Sequence, residues 1–435
     1  MDIQKTTLSN GLRLLAIPMP SVKSVAVDVI VKAGSRNEWP EVHGLAHFFE
    51  HMVFKGTNRH PTAAAIASAA DSVGAEMNAG TDKERTSYYL KVMDNHIALA
   101  FDILSDFVQS PLLEPEEIEK EKGVILSEIA MYEDLPTRKA PSVFEELLYQ
   151  GLSLGWDISG KKEDVAKVGR EDFVRFLEEF YNPSNMVLTI AGKFDREEVL
   201  DLAEHWFGLG VPNFSCSAKL EERSGANLPN SNPSGHPEVK LHTKKTEQSH
   251  IVLGVRGNPL AHPDRFAEAI LSSILGGGMS SRLFTEVREK RGLAYYIRTE
   301  LGYYTDNGYL AVRAGVAHSK IEEAIAVILE ELSKMAHTTG KLDVSEEEIR
   351  KAKEYTKGRL VLGLEDTENV ADFFGEQELL EGKITPLSEI LEKIDGVTIE
   401  DIQRVAQEFI TPERLSLAIV GPYEDSERFL KLLEH

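Results

Sequence analysis

Apolar positions along this chain recur with two periods, and the period changes where glycine, proline or asparagine intervenes. Short apolar runs at 24–31, 86–93 and 186–191 read as strands, and an Asn10-Gly11 pair between two further short runs reads as a hairpin turn. Stretches at 42–54, 62–73, 95–109, 115–133 and 171–180 carry the wider helical spacing. Pro115 stands where a first-turn proline belongs, behind Glu114 and ahead of acids that favour a helix N-terminus. Small sheets with long helices laid against them predict an α+β fold.

From Pro212 to Pro237 the periodicity lapses into Ser, Asn, Pro and Gly, the composition of an exposed linker. The pattern repeats on either side of it. Glu179-Phe180-Tyr181-Asn182-Pro183 and the run from Met186 to Gly192 are matched by Glu408-Phe409-Ile410-Thr411-Pro412 and the run from Leu415 to Gly421, in a constant register of 229 positions. Nearer the front, 25–34 matches 251–257, each followed by a helical stretch. The reading is two duplicated domains of similar topology, each a mostly antiparallel sheet packed with helices, at 1–212 and 238–435 with a linker at 213–237.

Composition narrows the partners. The 435 residues include 71 acidic and 48 basic side chains, a formal net charge of -23, which disfavours nucleic acid and anionic lipid and favours a cationic partner. A single cysteine, Cys216, excludes an internal disulfide and a multi-cysteine metal site. No apolar run approaches the ~18 residues of a membrane span, and residues 1–20 lack the apolar core of a signal peptide. The expectation is a cytoplasmic protein with no membrane or nucleic-acid partner.

The chemistry concentrates in Gly44-Leu45-Ala46-His47-Phe48-Phe49-Glu50-His51-Met52. Two histidines four apart project from one helix face and can share a single Zn²⁺, with Glu50 beside the metal. A catalytic zinc takes three protein ligands and a water, and a nearby carboxylate accepts that water's proton. Glu50 is the candidate base, which leaves one ligand to find; Glu121 and Glu128, seven apart on one face of the 115–133 helix, are the carboxylates that could supply it. Leu45, Phe48, Phe49, Met52 and Val53 make the histidine helix apolar on most sides. Imidazoles buried beside a carboxylate need an electrostatic reason to be there, and a metal is the simplest. His43 precedes His47 by four, but three ligands in line on one helix cannot converge on a tetrahedral ion, so His43 belongs to the helix start.

His-x-x-Glu-His inverts the commoner zinc-peptidase order. The segment resembles the inverzincins of the pitrilysin or M16 peptidase family, and the length and paired domains are similar to its mitochondrial-processing-peptidase-like M16B subfamily. The resemblance implies a zinc endopeptidase acting on peptides or unfolded polypeptide segments. It makes Glu128, 77 residues after His51, the third ligand and Glu121 the partner that orients the site. Asn78-Ala79-Gly80-Thr81, with Glu84, Thr86 and Tyr88, is similar to the family's stretch leading into an edge strand, where peptide adds by main-chain hydrogen bonds; Asn78, Ala79 and Thr81 are then the substrate-binding residues. One departure is Leu152-Ser153-Leu154-Gly155-Trp156-Asp157-Ile158-Ser159-Gly160, where many relatives carry His-Pro before the Leu-Gly.

In the second half, the shift of 223 that places Gly34 on Gly257 carries His47, Glu50 and His51 onto Ile270, Ser273 and Ile274, so the copy has no metal site. The family's second halves carry an Arg and a Tyr seven apart, matched here by Arg288 and Tyr295 after Gly276-Gly277-Gly278. The resemblance gives the tyrosine hydroxyl to the oxygen that becomes negative during the reaction and the arginine to peptide carbonyls. Read without it, the three glycines are a flexible turn and Arg288 a surface charge; no Gly-Lys-Ser/Thr ending makes them a phosphate loop. Family organisation also implies a homodimer or a homologous partner subunit, one chain's first domain facing the other's second. The alternative is a non-catalytic partner or scaffold subunit. Such members usually lose a ligand or the base, whereas His47, Glu50, His51 and Glu128 all stand here.

Overall fold

The computed structural model describes residues 2–208, 235–336 and 344–434. Cys216 and all but the end of the expected linker lie outside them. A first sheet contains β1 (Gln4–Thr7), β2 (Arg13–Pro18), β3 (Ser24–Val31), β4 (Glu76–Thr81), β5 (Thr86–Met93) and β6 (Met186–Gly192), in the order β1-β2-β6-β3-β5-β4. A second contains β7 (Glu238–Thr243), β8 (Ser249–Gly257), β9 (Ala294–Tyr303), β10 (Gly308–Val316) and β11 (Ser416–Gly421), in the order β7-β11-β8-β10-β9. Each is antiparallel except for one pair, β2 with β6 and β7 with β11. Apart from β1 the two orders are the same, as duplication requires, and the α+β class is what the helical and strand periods predict. Val27 faces Ile190 in one sheet and Ile251 faces Ile419 in the other, so the strand offset is 224 where the glycines suggest 223.

The two compact units are not the two consecutive halves. The first holds 2–130, 156–208 and 361–386; the second holds 131–155, 235–336, 344–360 and 387–434. Each half lends a helix to the other's sheet. Pro136–Leu148 packs on β8 and β11, and Thr367–Glu376 packs on β3 and β6. The first of these is absent from the periodicity reading because Pro141 stands inside it, and an interior proline costs a helix about 3 kcal/mol that only tertiary packing can offset.

Within the first unit, the histidine helix is Leu45–Val53 rather than 42–54. Gly44 has φ 89°, a left-handed conformation that breaks the helix, and a Cβ there would come within 2.6 Å of the Ser159 carbonyl oxygen. The helix N-terminus is closed by Glu38, whose buried carboxyl oxygens accept from Gly44 N–H and Ala46 N–H at 2.8 Å each. Phe48 and Phe49 are wholly buried against Phe173, Phe176 and Tyr181, with Phe48 and Phe173 edge to face at 4.9 Å. That packing fixes which face of the helix remains for chemistry.

Candidate metal centre

The remaining face carries His47 and His51, one turn apart, with ring centroids 4.7 Å from each other. Helix Pro115–Asp134 brings Glu128 against both: its Oε2 lies 3.6 Å from His51 Nε2 and 3.9 Å from His47 Nε2. Ligand atoms of the three residues lie within 4.8 Å of one another, the one such group of three among the described residues. An ion held at about 2.0–2.2 Å from each donor spaces its ligands roughly 3–4 Å apart, so a small inward movement closes the set around zinc.

Glu121, two turns before Glu128, accepts from His51 Nδ1 at 2.8 Å and from Lys55 Nζ at 2.6 Å. Burial works against its charge, but the bonds from His51 and Lys55 outweigh it and hold Glu121 below the usual carboxylate range. With Nδ1 committed to Glu121, Nε2 is the His51 nitrogen left to face Glu128. His47 has no such partner; its Nδ1 is buried without a hydrogen bond among the described residues. Burial, then the neighbouring His51, push the His47 pKa down, so the ring is neutral near pH 7, the form a metal needs.

Glu50 points to the same face. Its Oε2 accepts from Thr81 Oγ1 at 2.6 Å. Burial pushes its pKa up; Thr81 and His51 pull it down and Glu128 adds to the rise. A carboxylate raised toward neutrality is the better proton acceptor.

Thr81 ends β4, the edge of the first sheet, which pairs with β5 on one side only among the described residues. Ala79 and Thr81 face the histidine helix; Asn78 faces the other way, into a cavity of about 350 Å³ whose lining includes Asp28, Tyr89, Arg85, Glu368 and Asp372. Arg85 is bound by Asp372 and Glu376, and Asp28, buried in mid-strand, has one carboxylate oxygen without a hydrogen bond among the described residues. Sequence reading missed this acidic cavity; its one signal was Asp28, the only charged residue of β3 and flanked there by apolar residues. His43 stacks on Trp156 at 4.1 Å, with Nδ1 3.9 Å from Asp164, and stands outside the ligand group. Trp156 lies inside the Leu152–Gly160 departure.

In the second unit, Ile270 and Ile274, the positions the sequence shift of 223 pairs with His47 and His51, are buried in the core; the structural strand offset of 224 would pair Leu271 and Leu275 instead, also buried. The Arg288 guanidinium lies over the rings of Phe284 and Tyr295, at 4.8 and 5.8 Å, and Tyr295 is 73% exposed near the start of β9, the second sheet's edge.

Residues 13–160 match the family described as insulinase (peptidase family M16), and 167–355 match the family described as the peptidase M16 inactive domain. An uncharacterized zinc protease of Bacillus subtilis, YmxG, is 35% identical over 97% of this chain and 98% of its own. A protease from Helicobacter pylori superposes with a TM-score of 0.85 at 22% identity, covering 97% of this chain and 99% of that one. A chain of complex III2 from Candida albicans superposes at 0.82 with 20% identity, covering 99% and 100%.

Proposed function

The chain belongs to peptidase family M16, and on that premise we propose that it is a zinc-dependent endopeptidase cleaving peptides or unfolded polypeptide segments. The observation that carries this reading is the convergence of His47, His51 and Glu128 with Glu50 alongside. Two imidazoles and a carboxylate are a donor set for catalytic zinc, and each histidine turns its Nε2 toward Glu128. Zinc bound there supplies a Lewis acid for the attacking water and the scissile carbonyl. Glu50 takes the water's proton and returns it to the leaving amine. Glu121 keeps His51 in one tautomer and orientation. The free edge of β4 aligns substrate backbone, and every second side chain of a peptide so added faces the acidic cavity, where a basic residue is the match.

Arg288 and Tyr295 act at the developing oxyanion and the peptide carbonyls, supplied by a partner subunit. The span described as an inactive domain, 167–355, excludes His47, Glu50, His51 and Glu128, so that description leaves the catalytic reading standing over the scaffold one. No helix among the described residues is long and apolar enough to cross a membrane, and the proposed location is the cytoplasm. Metal analysis of the purified protein together with chelator-sensitive cleavage of an unstructured peptide tests the proposal. Stoichiometric zinc and cleavage abolished by chelation are expected; a metal-free protein, or cleavage indifferent to chelation, refutes it.

A further inference from the structure

A threonine hydroxyl has one hydrogen to give, and around Thr81 its destination is determined. Thr86, directly opposite Thr81 in the β4–β5 hairpin, donates its own hydrogen to the Ala33 carbonyl at 2.8 Å. At the 3.4 Å contact between the two hydroxyls Thr86 is therefore only an acceptor. Thr81's hydrogen goes instead to the closer and charged acceptor, Glu50 Oε2 at 2.6 Å, a short charge-assisted bond. Thr81 is the one residue that hydrogen-bonds Glu50 among the described residues.

The position of Thr81 is itself fixed by the hairpin tip. Asp82 Oδ1 accepts from Glu84 N–H and Arg85 N–H at 2.7 and 2.8 Å. Ser35 N–H and Arg36 N–H donate to the carbonyls of Asp82 and Lys83 at 3.0 and 2.9 Å, and a buried Arg36–Glu84 ion pair at 2.6 Å locks the same turn. Gly34 lets the two segments meet so closely, since a Cβ there would lie 2.4 Å from Lys83 backbone carbon.

We propose that Thr81 is a positioning residue for the Glu50 carboxylate and not a side-chain contact to substrate. Its hydroxyl occupies Oε2 and holds the flexible glutamate in one orientation at the histidine face. The tether ties the base to the strand that receives the peptide, so the acceptor and the docked backbone share one rigid frame. This rests on the peptidase reading above, in which Glu50 is the base.

Thr81→Val keeps the shape and removes the hydroxyl donor; Thr81→Ala removes it without bulk; Thr81→Ser keeps it; the backbone N–H of residue 81 is common to all. Four quantities are read: kcat and KM on an unstructured peptide, zinc affinity by chelator competition, and the Kd of that peptide by fluorescence anisotropy in a Glu50→Gln background. Thr81→Val and Thr81→Ala should lower kcat by about 10- to 100-fold, as loss of an orienting partner does. KM and peptide Kd should stay within about twofold and zinc affinity should be unchanged. Thr81→Ser should restore most of the turnover. A rise in KM and Kd at intact kcat makes Thr81 a substrate contact, and a Thr81→Ser as slow as Thr81→Val assigns the effect to shape; either overturns the proposal, as does an undiminished kcat in Thr81→Val. Failure of the peptidase reading is separate, because wild type would then lack zinc or cleavage before any Thr81 variant is compared.

Discussion

Glu121 Oε1 lies 2.8 Å from Nδ1 of His51, while the opposite nitrogen of that ring faces Glu128 at 3.6 Å. One carboxylate thus aims the imidazole at which another converges, and both come from the same helix. His47 lacks this support, so the site's rigidity depends on one ring more than the other. Glu121→Ala should weaken zinc binding by about 10- to 100-fold, the usual cost of losing a partner of a ligating histidine, and Glu121→Gln, which still accepts at its amide oxygen, should lose less. Competition with a fluorescent zinc chelator measures both. Equal affinity in Glu121→Ala and wild type would mean that packing alone orients His51.

Holding the metal and moving the proton are separable. Glu50→Gln should retain near-stoichiometric zinc yet lose turnover by about 10² or more, the contribution of a general base. Glu128→Gln should lose zinc affinity first. Zinc content by atomic absorption beside peptide cleavage distinguishes them; an empty site in Glu50→Gln with a full one in Glu128→Gln would exchange the two roles.

Much of this site is legible in the sequence because its determinants are local. A spacing of four puts His47 and His51 on one face, and a spacing of seven does the same for Glu121 and Glu128. What stays hidden depends on residues far apart in the chain. That the histidine helix starts at Leu45 follows from Ser159 crowding Gly44, a contact across more than a hundred residues that no periodicity encodes. The cavity at Asp28 needs Glu368 and Asp372 brought from the second half of the chain, and the exchange of Pro136–Leu148 and Thr367–Glu376 between sheets is long-range by construction. Duplicated strand orders are visible as repeats; exchanged helices are not, because a helix reads the same whichever sheet it covers.

Glu38, closing the histidine helix, ties stability to pH. Burial pushes its carboxyl from an ordinary 4.5 up to about 8, against the pull of the Ala46 and Gly44 N–H bonds. The folded protein therefore binds this proton more tightly than the unfolded chain does. The resulting stability is complete below about pH 4.5 and is lost as pH rises toward about 8. Glu38→Gln, neutral throughout, should remove that slope. Urea denaturation of wild type and variant at pH 5 and pH 8.5 measures it, and the difference between the two proteins cancels the pH dependence they share. A variant that parallels wild type at both pH values would show that Glu38 is ionised in the native state.

Whether one chain can complete the proposed site decides how the enzyme is assembled. The proposed site draws His47, Glu50, His51 and Glu128 from the first domain and Arg288 and Tyr295 from the second domain of a partner copy, so it is complete only in a dimer. Glu50→Gln and Tyr295→Phe should each be nearly inactive as homodimers. Unfolded together in equal amounts and refolded, half the dimers should be mixed, and each mixed dimer then holds one site with Glu50 and Tyr295 both intact and one site carrying both lesions. Half of the dimers with half of their sites complete gives activity near a quarter of wild type, a consequence of two-fold symmetry. If each chain completes its own site, every site in the mixture keeps one lesion and no activity returns. Subunit exchange, followed independently by resonance energy transfer between differently labelled chains, makes that silence decisive against the shared site.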